Sequence, residues 1–163
     1  MSFASEAYVK KLLKNGWEYL DEGEYSVVLQ HKDFPYLVRK VTHSKDDPYV
    51  HFIRWSLKNP DPHLPKVIGL FDGPKYFAVD LERLEPMDES SRREKKILHY
   101  LDDALSGINY SGNTRGVPAS IKKTAKKMFA EFRHKYVNDM HMGNIMYRGE
   151  VPIITDPYCP RKS

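Results

Sequence analysis

The sequence NDMHMGNIMYRGEVPIITDP, residues 138–157, decides the fold that we predict for this chain. Asp139 and Asn144 stand five positions apart on a predicted loop, and Asp156 follows the apolar run Val151–Ile154. A carboxylate, an amide and a second carboxylate in this order are typical of a phosphoryl-transfer site, in which the first accepts a hydroxyl proton and the other two bind magnesium. We therefore predict Asp139 as the catalytic base and Asn144 and Asp156 as magnesium ligands.

A candidate nucleotide-binding loop lies upstream, within residues 17–41. β-Branched and aromatic residues are separated there by turn-forming residues, which predicts two or three antiparallel strands. Gly23, Ser26 and Val28 fall at the middle glycine, the third glycine and the valine of the pattern G-x-G-x-x-G-x-V, a loop whose backbone N–H groups approach phosphates. Taken alone, this match favours a plain hairpin turn.

Lys40 is a candidate both for nucleotide contact and for catalysis. Val38 and Lys40 share one face of a predicted strand, whereas Arg39 points to the other face. The ends of this segment match the pattern V-A-I-K, whose lysine contacts nucleotide phosphates. A lysine at a strand end is more often a solvated charge, but the loop and the lysine in this order make a better case than either one alone.

The next predicted element is a helix that begins at Asp46-Asp47-Pro48, a capping carboxylate followed by proline at the first helical position. Its predicted buried stripe is Tyr49, Phe52, Ile53 and Leu57. Protein kinases use a glutamate of the corresponding helix to hold the strand lysine, but no glutamate occurs between Lys40 and Glu82. We therefore expect Asp46, Asp47 or a different geometry to replace it.

The middle of the chain predicts a second hairpin, Lys66–Phe71 with Tyr76–Val79, followed by a hinge at Leu81–Leu84. Backbone groups at Glu82 are predicted to meet an adenine edge. Helices are predicted over residues 90–105 and 118–137, with a loop at 106–116 between them.

The second of these predicted helices has a basic face. Its predicted outward residues are Lys122, Lys123, Lys126, Lys127, Arg133 and Lys135. A solvated face is favoured over a nucleic-acid interface, because no aromatic residues alternate with these lysines to stack on bases. Such a face could also bind nucleic acid or an acidic partner, and of these we rank nucleic acid low.

Length and composition limit the number of domains, the disulfides and the membrane segments that we expect. The chain has 163 residues, 40% of them hydrophobic, and a formal net charge of +4. That length predicts one folded domain of the α+β class, and one cysteine, Cys159, excludes an internal disulfide. Without a signal-type apolar segment or a run of about 20 apolar residues, we expect a soluble, unprocessed protein with no membrane contact.

His141 lies two positions after Asp139 and gives the loop the form Asp-x-His-x-x-Asn. This form resembles the loop of aminoglycoside and choline kinase-like phosphotransferases, and Asp156-Pro157 replaces the Asp-Phe-Gly of ordinary protein kinases. A structural role for His141 is favoured over proton transfer. Phosphorylation of a small molecule is the lesser alternative that this resemblance raises.

A larger part of the chain resembles the early serine/threonine protein kinase of T-seven-like podophages. The residues that carry the resemblance are Asp139-Met140-His141, Gly143–Met146, Val151-Pro152 and Ile154–Pro157, with weaker similarity across residues 20–41 and 66–84. The resemblance implies a minimal two-lobed protein-kinase-like fold. In this fold residues 17–84 form an N-lobe with an antiparallel sheet and one helix, and residues 85–163 form a truncated, mainly helical C-lobe with a catalytic-loop hairpin.

The resemblance also implies an activity, cofactors and partners. The expected enzyme uses ATP and magnesium to phosphorylate host bacterial proteins on serine or threonine in the host cytoplasm. Its expected targets are RNA polymerase or RNA-processing enzymes, during takeover and shut-off of host transcription. By this resemblance Lys40, Asp139, Asn144 and Asp156 are the central site residues.

A different class of function remains open. The missing helix glutamate, and a sequence that ends seven residues after Asp156, also suit a kinase-fold protein with little or no activity. Such a protein would bind and inhibit a host enzyme, namely RNA polymerase, a nuclease or a defence factor.

Overall fold

The computed structural model describes residues 3–161, with side chains from Ser5 onward. The chain divides into two compact units. The first contains the residues up to Leu57 together with Pro65–Arg83, and the second contains Lys58–Leu64 together with the residues from Leu84 onward. The fold is α+β, as predicted, and each unit has its own sheet.

The first unit is built on a five-stranded antiparallel sheet. Its elements in chain order are α1 (Phe3–Lys14), β1 (Trp17–Glu22), β2 (Ser26–His31), β3 (Leu37–Thr42), α2 (Pro48–Lys58), β4 (Val67–Asp72) and β5 (Phe77–Glu82). The strand order is β1-β2-β3-β5-β4. Both predicted hairpins are therefore present, and residues 17–41 form three strands, the upper number that the sequence allowed.

Two helices cover opposite faces of this sheet. Val9 and Leu12 of α1 belong to a buried cluster with Val27, Leu29 and Val41 of the sheet. On the other face, α2 makes cation–π contacts with the sheet. The Tyr49 ring of α2 contacts Lys40 of β3, and the Arg54 guanidinium of α2 lies 5.9 Å from the ring centroid of Phe77 in β5. Strand alternation separates the two sets of residues.

The predicted stripe of α2 is correct at three positions and wrong at one. Tyr49, Phe52 and Ile53 are buried, but the Leu57 side chain is 50% exposed. Leu57 lies in the last turn of α2, at the boundary between the two units of the chain. Helical spacing alone therefore overestimated the length of the buried face.

The second unit packs two helices with short strands. Its elements are β6 (Glu85–Pro86), α3 (Arg92–Ser106), α4 (Ala119–Phe132), β7 (Val137–Asn138), β8 (Ile145–Arg148), β9 (Val151–Ile154) and β10 (Tyr158–Cys159). The strands form a sheet of order β6-β8-β9 and a two-stranded ladder of β7 with β10. The core residues of the helices include Ile97, Leu101, Ile121, Met128 and Phe132.

Helix α4 ends at Phe132, and the predicted extension to residue 137 is wrong. Val137 and Asn138 instead form β7, in which Val137 pairs with Cys159 and Asn138 with Tyr158. A ladder with residues about 20 positions later overrides the local helical pattern, because tertiary pairing outweighs weak helix propensity. The basic residues Lys123, Lys126 and Lys127 are exposed on α4, as predicted.

The segment Lys58–Leu64 is fixed within the second unit. His63 is buried, and its Nδ1 lies 2.8 Å from the Pro152 carbonyl oxygen while its Nε2 lies 2.7 Å from the Ser120 hydroxyl. A carbonyl oxygen can only accept a hydrogen bond, so Nδ1 is the donor in the contact with Pro152. Among residues 3–161, no helix is long and apolar enough to span a bilayer.

Candidate active site

The loop between β7 and β8 holds Asp139, His141 and Asn144 in a fixed arrangement. The Asn144 side-chain amide donates to the Asp139 carbonyl oxygen at 2.8 Å and lies 2.9 Å from His141 Nε2. The Gly143 N–H donates to His141 Nδ1 at 3.0 Å. Because the Asn144 amide nitrogen is engaged by the loop, its amide oxygen is the atom that remains to bind a metal.

The segment that carries Asp156 is hydrogen-bonded to this loop on both sides. The Thr155 N–H donates to the Asn144 carbonyl oxygen at 3.0 Å, and the Asp139 N–H donates to the Pro157 carbonyl oxygen at 2.8 Å. Asp156 lies between these two bonds. These hydrogen bonds therefore bring the segments that carry Asp139, Asn144 and Asp156 together. The catalytic and metal-binding roles of the three residues stay predictions.

Asn138 anchors the loop, a role that no sequence pattern indicated. Its amide nitrogen donates to the Asp102 carbonyl oxygen at 3.0 Å, to the Asp102 carboxylate at 2.7 Å and to the Ser106 hydroxyl at 2.8 Å. Its amide oxygen accepts from the Met140 N–H at 3.1 Å. These bonds tie the residue before Asp139 to the end of α3.

Aromatic packing holds the chain immediately after Asp156. The Tyr158 ring is buried against Phe132, with ring centroids 4.7 Å apart, and against Tyr136 at 6.2 Å. Burial raises the pKa of the Tyr158 hydroxyl, so that it stays neutral. Two residues after Asp156, the chain is therefore held by an uncharged aromatic cluster.

The donor set of the loop suits magnesium bound together with phosphates. No group of three or more His, Cys, Asp or Glu residues suited to holding a metal occurs in residues 3–161. Magnesium usually takes one or two carboxylates from the protein and completes its octahedron with water and substrate phosphates. The hard oxygen donors of Asn144 and Asp156 fit that pattern, and an all-protein metal cage is not needed.

Lys40 lies on the α2 face of the first unit, beside two of the other predicted residues. Val28 pairs directly with Lys40 across β2 and β3, and Ser26 pairs with Thr42. Directly opposed residues and residues two apart share one face of a sheet, so Ser26, Val28 and Lys40 lie on the same face. The prediction that Arg39 points away is confirmed, since Arg39 contacts Asp80 on the other face.

The Lys40 ammonium contacts an aromatic ring of α2. Its Nζ lies 3.8 Å from the centroid of the Tyr49 ring, and both side chains are buried. Asp47, one of the candidates to replace the missing glutamate, caps α2: its carboxylate accepts from the Tyr49 N–H at 2.8 Å. The sequence marked Tyr49 as buried, but nothing in it indicated this contact.

Gly23 lies in the tight turn between β1 and β2. Its N–H donates to the Ser26 carbonyl oxygen at 2.9 Å, and Glu22 pairs with Val27. A Cβ on Gly23 would meet its nearest neighbour, that same carbonyl oxygen, at 3.8 Å, which is ordinary contact. The turn therefore does not itself require glycine, and its predicted nucleotide contact remains a prediction.

Glu82 is the last residue of β5 and is hydrogen-bonded to Lys66. Its N–H donates to the Lys66 carbonyl oxygen at 3.1 Å, and its carboxylate accepts from the Lys66 N–H at 3.0 Å. Glu82 pairs with Leu37, which places it on the face opposite Lys40. The nucleotide contact predicted for backbone groups at Glu82 stays a prediction.

The two units together define the class of protein. An antiparallel sheet with a lysine beside a helix, followed by Asp-x-x-x-x-Asn and a second aspartate on a hydrogen-bonded loop, is a small protein-kinase-like fold. A model of the family described as bacteriophage T7 protein kinase 0.7 matches residues 5–159, nearly the whole chain. The chain belongs to this family of phage protein kinases, which confirms the resemblance seen in the sequence. No curated protein matched the chain.

Proposed function

We propose that this chain is an ATP- and magnesium-dependent protein kinase that transfers phosphate to serine or threonine hydroxyls. The observation that carries the proposal is the loop geometry of the second unit. Backbone hydrogen bonds hold the segment with Asp156 against the loop with Asp139 and Asn144. Membership of a phage protein-kinase family supports the same activity.

The proposed reaction assigns each residue a separate task. A substrate hydroxyl oxygen attacks the γ-phosphorus of ATP, the bond to the β-phosphate oxygen breaks, and ADP leaves. Asp139 accepts the proton that the hydroxyl loses. Asn144 and Asp156 would hold magnesium, which would supply positive charge against the phosphate oxygens. Lys40 adds a fixed positive charge for the phosphates, and Ser26 and Val28 lie on the same sheet face for the nucleotide.

The proposed substrates are proteins of the bacterial host, within the host cytoplasm. The family description supports a phage enzyme, and an early phage kinase that acts on RNA polymerase or RNA-processing enzymes would redirect host transcription. The exposed lysines of α4 favour acidic regions of such proteins, since opposite charges steer association.

Incubation of the purified chain with radiolabelled ATP, magnesium and host lysate tests the proposal. We expect labelled phosphoserine or phosphothreonine with the wild-type chain and at least about a hundredfold less with Asp139→Asn, because the amide does not accept the proton. Asp33→Asn is the matched control, since the Asp33 side chain is 67% exposed in the first unit.

Two results would contradict the proposal. Equal labelling by the wild-type chain and Asp139→Asn would remove Asp139 as the base. A chain that labels no protein, while Asp139→Asn keeps its full effect on the host, would favour a kinase-fold inhibitor over an enzyme. Labelling confined to small metabolites would favour the small-molecule phosphotransferase.

A further inference from the structure

The strand lysine of the first unit is held by an aromatic ring. The Lys40 Nζ lies 3.8 Å from the Tyr49 ring centroid, well inside the distance of about 6 Å at which a ring face attracts a cation. Tyr49 is only 2% exposed, so the contact is shielded from water. Shielding strengthens the attraction between a cation and the ring quadrupole.

Tyr49 contacts Lys40 from the helix that carries the lysine-binding glutamate in ordinary protein kinases. In ordinary protein kinases a glutamate of the helix after the lysine strand pairs with that lysine. Here α2 is the helix after β3, and the Tyr49 side chain of α2 contacts the Lys40 ammonium. The Asp47 carboxylate serves as the helix cap, and Asp46 precedes the cap on the exposed surface.

We propose that Tyr49 is the positioning residue for Lys40, and that its ring orients the lysine toward nucleotide phosphates in place of a glutamate. This inference rests on the proposed function, because it assumes that Lys40 meets a nucleotide.

The surroundings of Tyr49 make it suited to this task. Pro48 precedes it at the first position of α2, where the fixed φ of proline favours the helix, and the Asp47 carboxylate accepts from its N–H. Its ring packs beside Phe52, with centroids 6.3 Å apart. The ring is therefore held by the start of the helix and by the core together.

The exchange of a carboxylate for a ring has an electrostatic consequence. A glutamate would carry a negative charge beside the lysine, whereas the tyrosine ring is itself uncharged. The ring also offers no competing anion that a nucleotide must displace. Tyr49 therefore orients Lys40 without placing a negative charge of its own beside it.

Calorimetric titration of the whole chain with ATP and magnesium tests the inference. Tyr49→Leu removes the ring and should weaken ATP binding about tenfold, within the range expected for a buried cation–π contact. Tyr49→Phe keeps the ring and should restore most of the affinity. Phe77→Leu is the matched control, because it removes an equally buried ring whose cation neighbour is Arg54.

A second measurement does not depend on whether variants of Tyr49 fold. The ε-methylene protons of Lys40, assigned by comparison with Lys40→Arg, should show an upfield NMR shift from the Tyr49 ring current in the chain without nucleotide. Shifts at the ordinary lysine position would overturn the inference directly.

The titration separates two kinds of failure. If the wild-type chain binds ATP and Tyr49→Leu binds as tightly as Phe77→Leu, the role of Tyr49 is wrong and the proposed function stands. If the wild-type chain binds no ATP, the proposed function fails, and the inference that rests on it fails too.

Discussion

At the scale of single residues, the side chain of Arg39 shows how much of this fold depends on one buried ion pair. Its Nε lies 2.6 Å from Asp80 Oδ1, with side chains 13% and 10% exposed, and its terminal nitrogen donates to Asp80 Oδ2 at 2.8 Å. Its guanidinium carbon also lies 4.4 Å from the Trp17 ring centroid and 4.3 Å from that of Phe71. Removing one partner would leave the other charge buried.

We predict that Asp80→Ala lowers the free energy of unfolding by about 3–5 kcal/mol, the cost of a buried charge left without its partner. The double variant Arg39→Met with Asp80→Leu should lose much less, because neither charge remains. Urea unfolding of the three chains measures the difference. Asp72→Ala is the control, since Asp72 pairs with Arg54 and Lys45 on the surface, and its effect should be far smaller. A double variant as unstable as Asp80→Ala would contradict this account.

The sequence predicted the direction of Arg39 but not its partner. Alternation along a strand places Arg39 opposite Lys40, which needs no knowledge of the fold. Asp80 becomes its neighbour only because β3 pairs with β5, and that pairing joins residues 41 positions apart. The same reason explains why Asn138 was missed: its partners Asp102 and Ser106 lie on another element.

At the scale of elements, α2 is the helix whose start matters most for the site. Asp47 and Pro48 predicted that start correctly, because capping carboxylates and first-turn prolines act locally. The end of α4 was predicted wrongly, because it is set by the pairing of β7 with β10. Local signals thus predict where α2 begins, whereas the pairing of strands that are distant in sequence determines where α4 ends.

We predict that Asp47→Ala costs about 1 kcal/mol of stability, the usual value of a lost helix cap. It should also weaken ATP binding, because the capped N–H belongs to Tyr49, the residue that contacts Lys40. Asp46→Ala is the matched control, since the Asp46 side chain is exposed one position before the cap. Thermal unfolding and ATP titration of both variants test this, and equal losses in the two would contradict the role of Asp47.

At the scale of the whole molecule, the sequence predicted the α+β class and the two hairpins of the first unit. It predicted these features because strand period, turn residues and motif spacing are local properties. No pattern in the sequence indicated that His63 is buried in the second unit, where it contacts Pro152 and Ser120. Those contacts join positions up to 89 residues apart, and no local pattern encodes them.

We propose that the loop with Asn144 and Asp156 binds ATP through magnesium, a claim that thermal unfolding with ATP can check. We predict that ATP with magnesium stabilises the wild-type chain by about 2.7 kcal/mol at a hundredfold excess over its dissociation constant. The gain should largely disappear with EDTA and in Asp156→Asn, but persist in Asp33→Asn. An equal gain with EDTA, an equal gain in Asp156→Asn, or no gain in the wild-type chain would contradict the claim.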